Sequence, residues 1–277
     1  MKKIFLFFLI FLFLYNNSYS QELYINTEAA SLIPKGTKVI RFNYSNIFLN
    51  QTNEKESIKN ALLFTPSLAY GLSKKIMISG SFQFSNKPYE KDLSTNFGFN
   101  GFKLYSKQRI FTTDKQKNHT RLSSFVKYSF HKEKFMKSNI DLELQDNGFE
   151  FGLIGTQLIK KLAISITSAY TRVNDIYDKS NNLFRLGTLK NSISAGYLVF
   201  PRKYKSYKQT NFNIYLEYIT NTITNKYFPE RFNKFSSTLA PGIQFIFLSR
   251  SRLDFSYKIR KGDTENEFLI KLTYIIY

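Results

Sequence analysis

The sequence contains no cysteine and only two histidines, and its 20 acidic side chains are half as many as its 40 basic ones. Without cysteine there can be no disulfide scaffold, no thiolate zinc site and no lipobox residue for lipid attachment. Two histidines far apart make no metal site, and no cofactor is implied. There is no glycine-rich phosphate loop and no paired-carboxylate motif. Long apolar runs are missing beyond residue 14, so no later stretch reads as a transmembrane helix.

What is present starts with an address. Lys2 and Lys3 form a charged n-region, Ile4 to Leu14 is unbroken apolar sequence, and Ser18 and Ser20 flank Tyr19. That pattern predicts a secretory signal peptide over 1–20, cleaved after Ser20 so that Gln21 begins the mature chain. The apolar run is about eleven residues against the roughly 20 that a spanning helix needs, which argues against an uncleaved anchor. Cleavage leaves 38 basic and 20 acidic side chains, a formal charge of +18. A charge of that sign fits nucleic acid, an anionic membrane surface or an anion pathway, and export beyond the inner membrane excludes nucleic acid as a partner.

An exported chain without a spanning helix is either soluble or a membrane β-barrel. Mean hydropathy is negative although 17% of residues are aromatic, a combination open to a barrel because only alternate residues face lipid. From Lys38 onward, period-2 segments about ten residues long alternate with polar or glycine-bearing breaks. The clearest places Leu253, Phe255, Tyr257 and Ile259 opposite Arg252, Asp254, Ser256, Lys258 and Arg260. Phe268 to Ile276 repeats it, as do Phe212, Ile214, Leu216 and Tyr218.

Strands are expected near 37–49, 61–72, 75–86, 97–110, 120–131, 148–159, 161–173, 187–200, 209–221, 233–248, 251–260 and 265–277. The fold class is therefore all-β, a transmembrane antiparallel up-and-down β-barrel of about 12 strands over 37–277, with ten or fourteen as alternatives. Short breaks at Ser73-Lys74, Lys160-Lys161 and Ser249-Arg250 alternate with long ones, as periplasmic turns and outer loops do. Thr112 to His119 and Pro201 to Lys208 are long for periplasmic turns. Pro66 and Pro241 fall inside strands, so each is expected at a bulge or strand end, with Gly242 helping the second. Ile140, Leu142 and Leu144 suggest a hairpin extension closed at Asp146-Asn147-Gly148. Residues 21–36 read as a short periplasmic tail, too short to plug a lumen.

Phe and Tyr cluster at segment ends, as interface girdles require. A soluble β-sandwich would use the same residues. The small lining of the polar face, Ser79, Ser81, Ser165, Thr167, Ala169, Ser192, Ser194 and Gly196, suits a crowded barrel interior better. The terminal aromatic Tyr277 is one residue out of phase with Phe268 to Ile276, so either the last strand bulges or Ile276 is its terminal outward residue. The chain resembles an uncharacterised family of Bacteroidetes-type outer-membrane barrels in three stretches, Tyr24 to Ser31, Ala69 to Ser73 and Gly148 to Leu158. The resemblance implies fold and location, not an activity.

The inward phase is basic. Arg41, Lys103, Lys107, Arg109, Arg121, Lys127, Arg252, Lys258, Arg260 and Lys271 are set against Glu150, Glu217, Asp254 and Glu267. On closure Arg41, Lys258, Arg260 and Lys271 would share one wall, with Asp254 and Glu267 as partial partners. An open lumen of that kind prefers anionic solutes, so a small passive channel is one reading. A structural or adhesive barrel, filled by its own side chains and binding partners through outer loops, is another. An outer-membrane lipid hydrolase would need His119 or His131. These lie about twelve residues apart at opposite ends of one strand and read as solvent-facing turn residues, so no enzyme is expected. The expected partners are outer-membrane lipid and lipopolysaccharide, and the barrel assembly machinery during insertion.

Overall fold

The computed structural model describes residues 24–48, 60–86, 97–115, 118–132, 146–177, 183–201, 209–228, 232–261 and 265–277. Residues 1–20, expected to be a signal peptide, and the expected hairpin extension at residues 140–144 lie outside them. Within them are twelve strands: β1 (Lys38–Phe48), β2 (Asn60–Gly71), β3 (Ile76–Ser85), β4 (Gly98–Lys115), β5 (Asn118–His131), β6 (Gly148–Ile159), β7 (Leu162–Tyr177), β8 (Leu183–Phe200), β9 (Asn211–Ile223), β10 (Phe235–Phe247), β11 (Ser251–Lys261) and β12 (Glu267–Ile276). Each pairs antiparallel with its sequence neighbours, and β1 pairs with β12 from Lys38↔Ile276 to Ile47↔Glu267, so the sheet closes.

Closure leaves every strand with two neighbours, which removes the free edges that a sheet in lipid cannot tolerate. The start of β1, the end of β12 and the tight turns lie at one end of the barrel, here the turn end; the opposite is the loop end. Ile159↔Leu162 closes a two-residue hairpin in which Lys160 takes φ +53°, and Leu248 and Ser249 take similar angles between Phe247 and Ser251. Positive φ at such positions lets the connection follow the twist of the strands.

The side-chain distribution is the reverse of a soluble sandwich. Outward positions carry exposed apolar residues all round the wall, among them Leu68, Phe82, Leu104, Val126, Phe151, Ile166, Ile193 and Leu216. Inward positions are polar and buried, including Ser81, Gln83, Ser123, Ser165, Asn213 and Gln244. Aromatic pairs gather near both rims: Tyr128 and Phe149 lie 4.7 Å apart toward the loop end, and Phe212 and Phe245 lie 5.0 Å apart toward the turn end.

Four sequence expectations change. The stretch Thr112 to His119 is not a long turn, because β4 and β5 continue to Lys115↔Asn118. Pro66 and Pro241 sit in mid-strand without a register shift. Pairing runs unbroken through Pro66 toward β1 and through Pro241 toward β9, and lapses locally toward β3 and β11. A proline missing one N–H can be absorbed this way when its other neighbour carries the alignment. Gly242 makes no bulge; a Cβ there would meet the Tyr215 ring at 2.3 Å, so the glycine makes room for that ring. His131 is 3% exposed and is not a solvent-facing turn residue. At the C-terminus, β12 runs without a bulge and Ile276 is its last outward residue.

The largest correction concerns the N-terminal segment. Rather than hanging as a tail, residues 24–34 lie inside the barrel. Thr37 N–H donates to the Pro34 carbonyl at 3.1 Å, and Gly36 and Thr37 bond to Gly71 as the chain turns inward. Gly71 is required there, since a Cβ would come within 2.0 Å of the Pro34 oxygen. Polar groups of the inner wall supply partners for its backbone.

Candidate functional site

The lumen is divided between the N-terminal segment and a residual void. Ala30, Leu32 and Ile33 pack with Val39, Ala69, Met77, Tyr105, Phe125, Ile154, Ala169 and Ile275 into an apolar cluster. Tyr24 and Ala29 join Ala163 and Tyr215 in a second, with the Tyr24 and Tyr215 rings edge to face at 6.4 Å. Fully burying side chains such as Leu32 and Ile33 favours docking by about 1.5 to 3 kcal/mol each.

Between these clusters the segment is held by polar groups. Glu217 is fully buried and its carboxylate accepts from the Thr27 N–H at 2.9 Å, the Thr27 hydroxyl at 2.8 Å, the Asn26 N–H at 3.2 Å and the Asn26 side-chain amide at 2.5 Å. Asn26 Nδ2 also donates to Ser256 Oγ at 3.0 Å, and Thr27 and Ser194 share a hydroxyl hydrogen bond of 2.6 Å. Tyr24 donates to the Ala163 carbonyl at 2.8 Å. Against β5 and β6, Ala30 N–H donates to Thr156 Oγ1 at 2.8 Å and Ser123 Oγ donates to the Ala30 carbonyl at 2.6 Å.

Glu28 faces the other way, toward β4. Its carboxylate accepts from the Tyr105 hydroxyl and from Lys107 Nζ at 3.0 Å, and Lys107 also donates to the Ala29 carbonyl at 3.0 Å. Enclosure by the barrel works against the charged form of Glu28, but Lys107, Lys127 and the donated hydrogen bonds outweigh it and hold this carboxyl below its usual range.

The void has a volume of about 170 Å³ and lies between the segment and the wall formed mainly by β1–β4, β11 and β12. Arg41, Lys103, Lys107, Lys127, Lys258 and Lys271 line it, against Glu28 and Glu267. Asn43, Thr65, Ser67, Ser79, Ser81 and Gln83 supply neutral polar groups between the cations.

The inward charges outside the void are held in part by residues that line it. Lys127 pairs with Glu150 at 3.0 Å, and Glu150 also accepts from Thr171 Oγ1. Glu267 bridges Lys258 at 3.0 Å and Arg260 at 2.7 Å. Asp254 accepts from Gln244 at 2.6 Å and stands opposite Lys271 in the β11–β12 register. Arg121 reaches Ser31 of the segment at 2.9 Å and Asp114 at 3.3 Å, and Arg252 is buried near the turn end. Of the fourteen inward charged residues named from the sequence, Arg41, Lys103, Lys107, Lys127, Lys258, Lys271 and Glu267 line the void, Glu150, Glu217, Asp254, Arg252 and Arg260 are buried on the inner wall, and Arg109 and Arg121 lie toward the turn end of β4 and β5. Arg260 joins the first group through Glu267 without lining the void.

His119 and His131 are not brought together. His119 lies beside Asp114 at 2.9 Å at the turn end, while His131 lies beside the Asp146 carbonyl at the loop end. Among the described residues, no group of three or more His, Cys, Asp or Glu side chains could hold a metal ion.

The residues that sequence reasoning missed are Tyr105 on the void wall, whose inward phase in β4 was its only signal, and Tyr24, Asn26, Thr27 and Glu28 as lumen residues. The signal for the last four was indirect: they belong to one of the three stretches that carry the family resemblance.

No family model matches the chain, and no curated protein matches it in sequence. Among the solved structures similar in fold are two outer-membrane channels. The NanC porin is 12% identical with a TM-score of 0.52, over 86% of this chain and 98% of the porin. An outer membrane channel from Pseudomonas putida F1 is 13% identical with a TM-score of 0.52, over 91% of this chain and the whole of that one. The chain thus has the fold of bacterial outer-membrane channel barrels. With that fold it is a twelve-stranded barrel whose own N-terminal segment lies in the lumen.

Proposed function

We propose that this protein is a passive channel of the bacterial outer membrane, delivered by cleavage after Ser20, that favours small anionic solutes. The observation that carries this reading is the lining of the residual void: six cations, Arg41, Lys103, Lys107, Lys127, Lys258 and Lys271, against two carboxylates. Confinement between low-dielectric walls strengthens such an imbalance relative to an open surface. Membership in the Bacteroidetes-type barrel family, contacts with lipopolysaccharide and insertion by the barrel assembly machinery belong to the same proposal; the outward apolar belt supports the lipid contact. The test is conductance in planar bilayers under a salt gradient. Discrete single-channel steps with a reversal potential on the anion side are expected, and the double variant Lys103→Glu, Lys271→Glu should move that potential toward the cation side. Steps without anion preference would overturn the selectivity.

One finding favours a second reading, a structural or adhesive barrel. The segment and the ion pairs Lys127–Glu150 and Lys258–Glu267–Arg260 fill much of the interior. A bilayer that stays silent with folded protein supports that barrel over the channel.

A further inference from the structure

The place that Glu28 occupies is built for a carboxylate. Lys107 is 2% exposed at its side chain, yet its ammonium group converges with the Tyr105 hydroxyl on one oxygen of Glu28. Lys127, itself paired with Glu150 at 3.0 Å, stands directly across the β4–β5 ladder from Tyr105 and adds its charge to the same void. These donors belong to the barrel wall, whereas the acceptor belongs to a segment outside the sheet ladder. Withdrawing Glu28 would therefore leave the wall intact and strand a buried ammonium group without that carboxylate, which favours its replacement by another. Beside it the void offers about 170 Å³ lined by hydroxyl and amide groups from Thr65, Ser67, Ser79, Ser81 and Gln83. Such a lining suits a ligand that carries hydroxyl groups next to its acid.

We propose that Tyr105, Lys107 and Lys127 form a binding site for small hydroxycarboxylates, and that Glu28 fills it as a tethered stand-in for the ligand. The inference rests on the anion-channel reading and sharpens it, because a carboxylate entering the lumen competes with Glu28 for the same donors. A tethered competitor lowers apparent affinity by the fraction of time in which the site is vacant.

The experiment is calorimetric titration of lactate and gluconate into the folded barrel in detergent. The Glu28→Gln variant keeps a neutral acceptor in place and should bind at least roughly tenfold more tightly than the natural protein, the ratio that about 1.4 kcal/mol of lost competition gives. Adding Lys107→Met to Glu28→Gln should abolish binding, and adding Tyr105→Phe should weaken it several-fold. The tyrosine variant serves as the readout if the lysine variant does not fold. Equal affinity in the natural protein and Glu28→Gln, no binding to Glu28→Gln, or binding that survives the second substitutions would each overturn the site. A silent bilayer with binding intact would sink the channel reading alone; conduction without binding would sink this one.

Discussion

Glu217 shows how one residue can hold a segment that the chain delivers from far away. Asn26 and Thr27, 191 and 190 positions earlier, donate to it through backbone and side chain. A buried donor left without an acceptor costs about 1 to 3 kcal/mol, and Glu217→Ala leaves several donors without that acceptor. The substitution should undock the segment while the barrel stays closed, read as faster proteolysis near Tyr24 with unchanged migration of the unboiled protein in detergent gels. Glu28 adds a pH dependence of known sign. Its carboxyl lies below the ordinary value near 4.5 when docked, so its contribution is complete above that value and is lost as pH falls through the docked one. Proteolysis of the natural protein should accelerate under acid, and Glu28→Gln should flatten this dependence; an unchanged profile in the variant would remove Glu28 from the account. The inward phase of Glu217 was legible in the sequence because Phe212 to Tyr218 alternate so cleanly. Its partner was not, since no local pattern links positions so far apart.

At the scale of the strand, alternation located all twelve elements, with ends displaced by a few residues. The reason is physical: lipid outside and polar groups inside impose opposite demands on adjacent residues, and that contrast survives in composition. Turn length was less legible. Thr112 to His119 looked like a break because its residues are polar, but β4 and β5 extend beyond the apolar band into water, where polar residues keep the ladder without facing lipid. The prolines misled for a related reason, since a strand with two neighbours can lose pairing locally on one side. Alternation also yields a direct test. Leu216 points outward near the middle of β9 and is half-exposed on the barrel surface. Leu216→Arg should destabilise the barrel by about 2 to 4 kcal/mol in bilayers, and Leu216→Phe should change little. The measurement is the urea midpoint of unfolding from lipid vesicles, and equal midpoints for both variants would place this face away from hydrocarbon.

For the whole molecule, the arrangement amounts to a closed wall plus a removable filling. All strand-to-strand hydrogen bonding is complete without residues 24–34, whereas the apolar cluster around Leu32 and Ile33 and the Glu217 cradle are not. The sequence pointed to the wall because its rule is repetitive, and concealed the filling because docking depends on surfaces that exist only after closure. Removing Tyr24 to Ser31 should therefore spare folding, assessed by the gel migration of unboiled protein, and widen the lumen. If ions pass around the segment, single-channel conductance should rise several-fold. Anion preference should rise as well, because Glu28 leaves a wall that retains Lys103, Lys107, Lys127 and Lys271. A rise in conductance with falling anion preference would mean that current follows a route the cationic wall does not line. Unchanged conductance in a folded, truncated barrel would place the constriction at another level of the lumen, such as the Lys258–Glu267–Arg260 cluster toward the loop end. The two measured quantities thus separate what limits passage from what selects the passing ion, and only the second belongs to the basic wall.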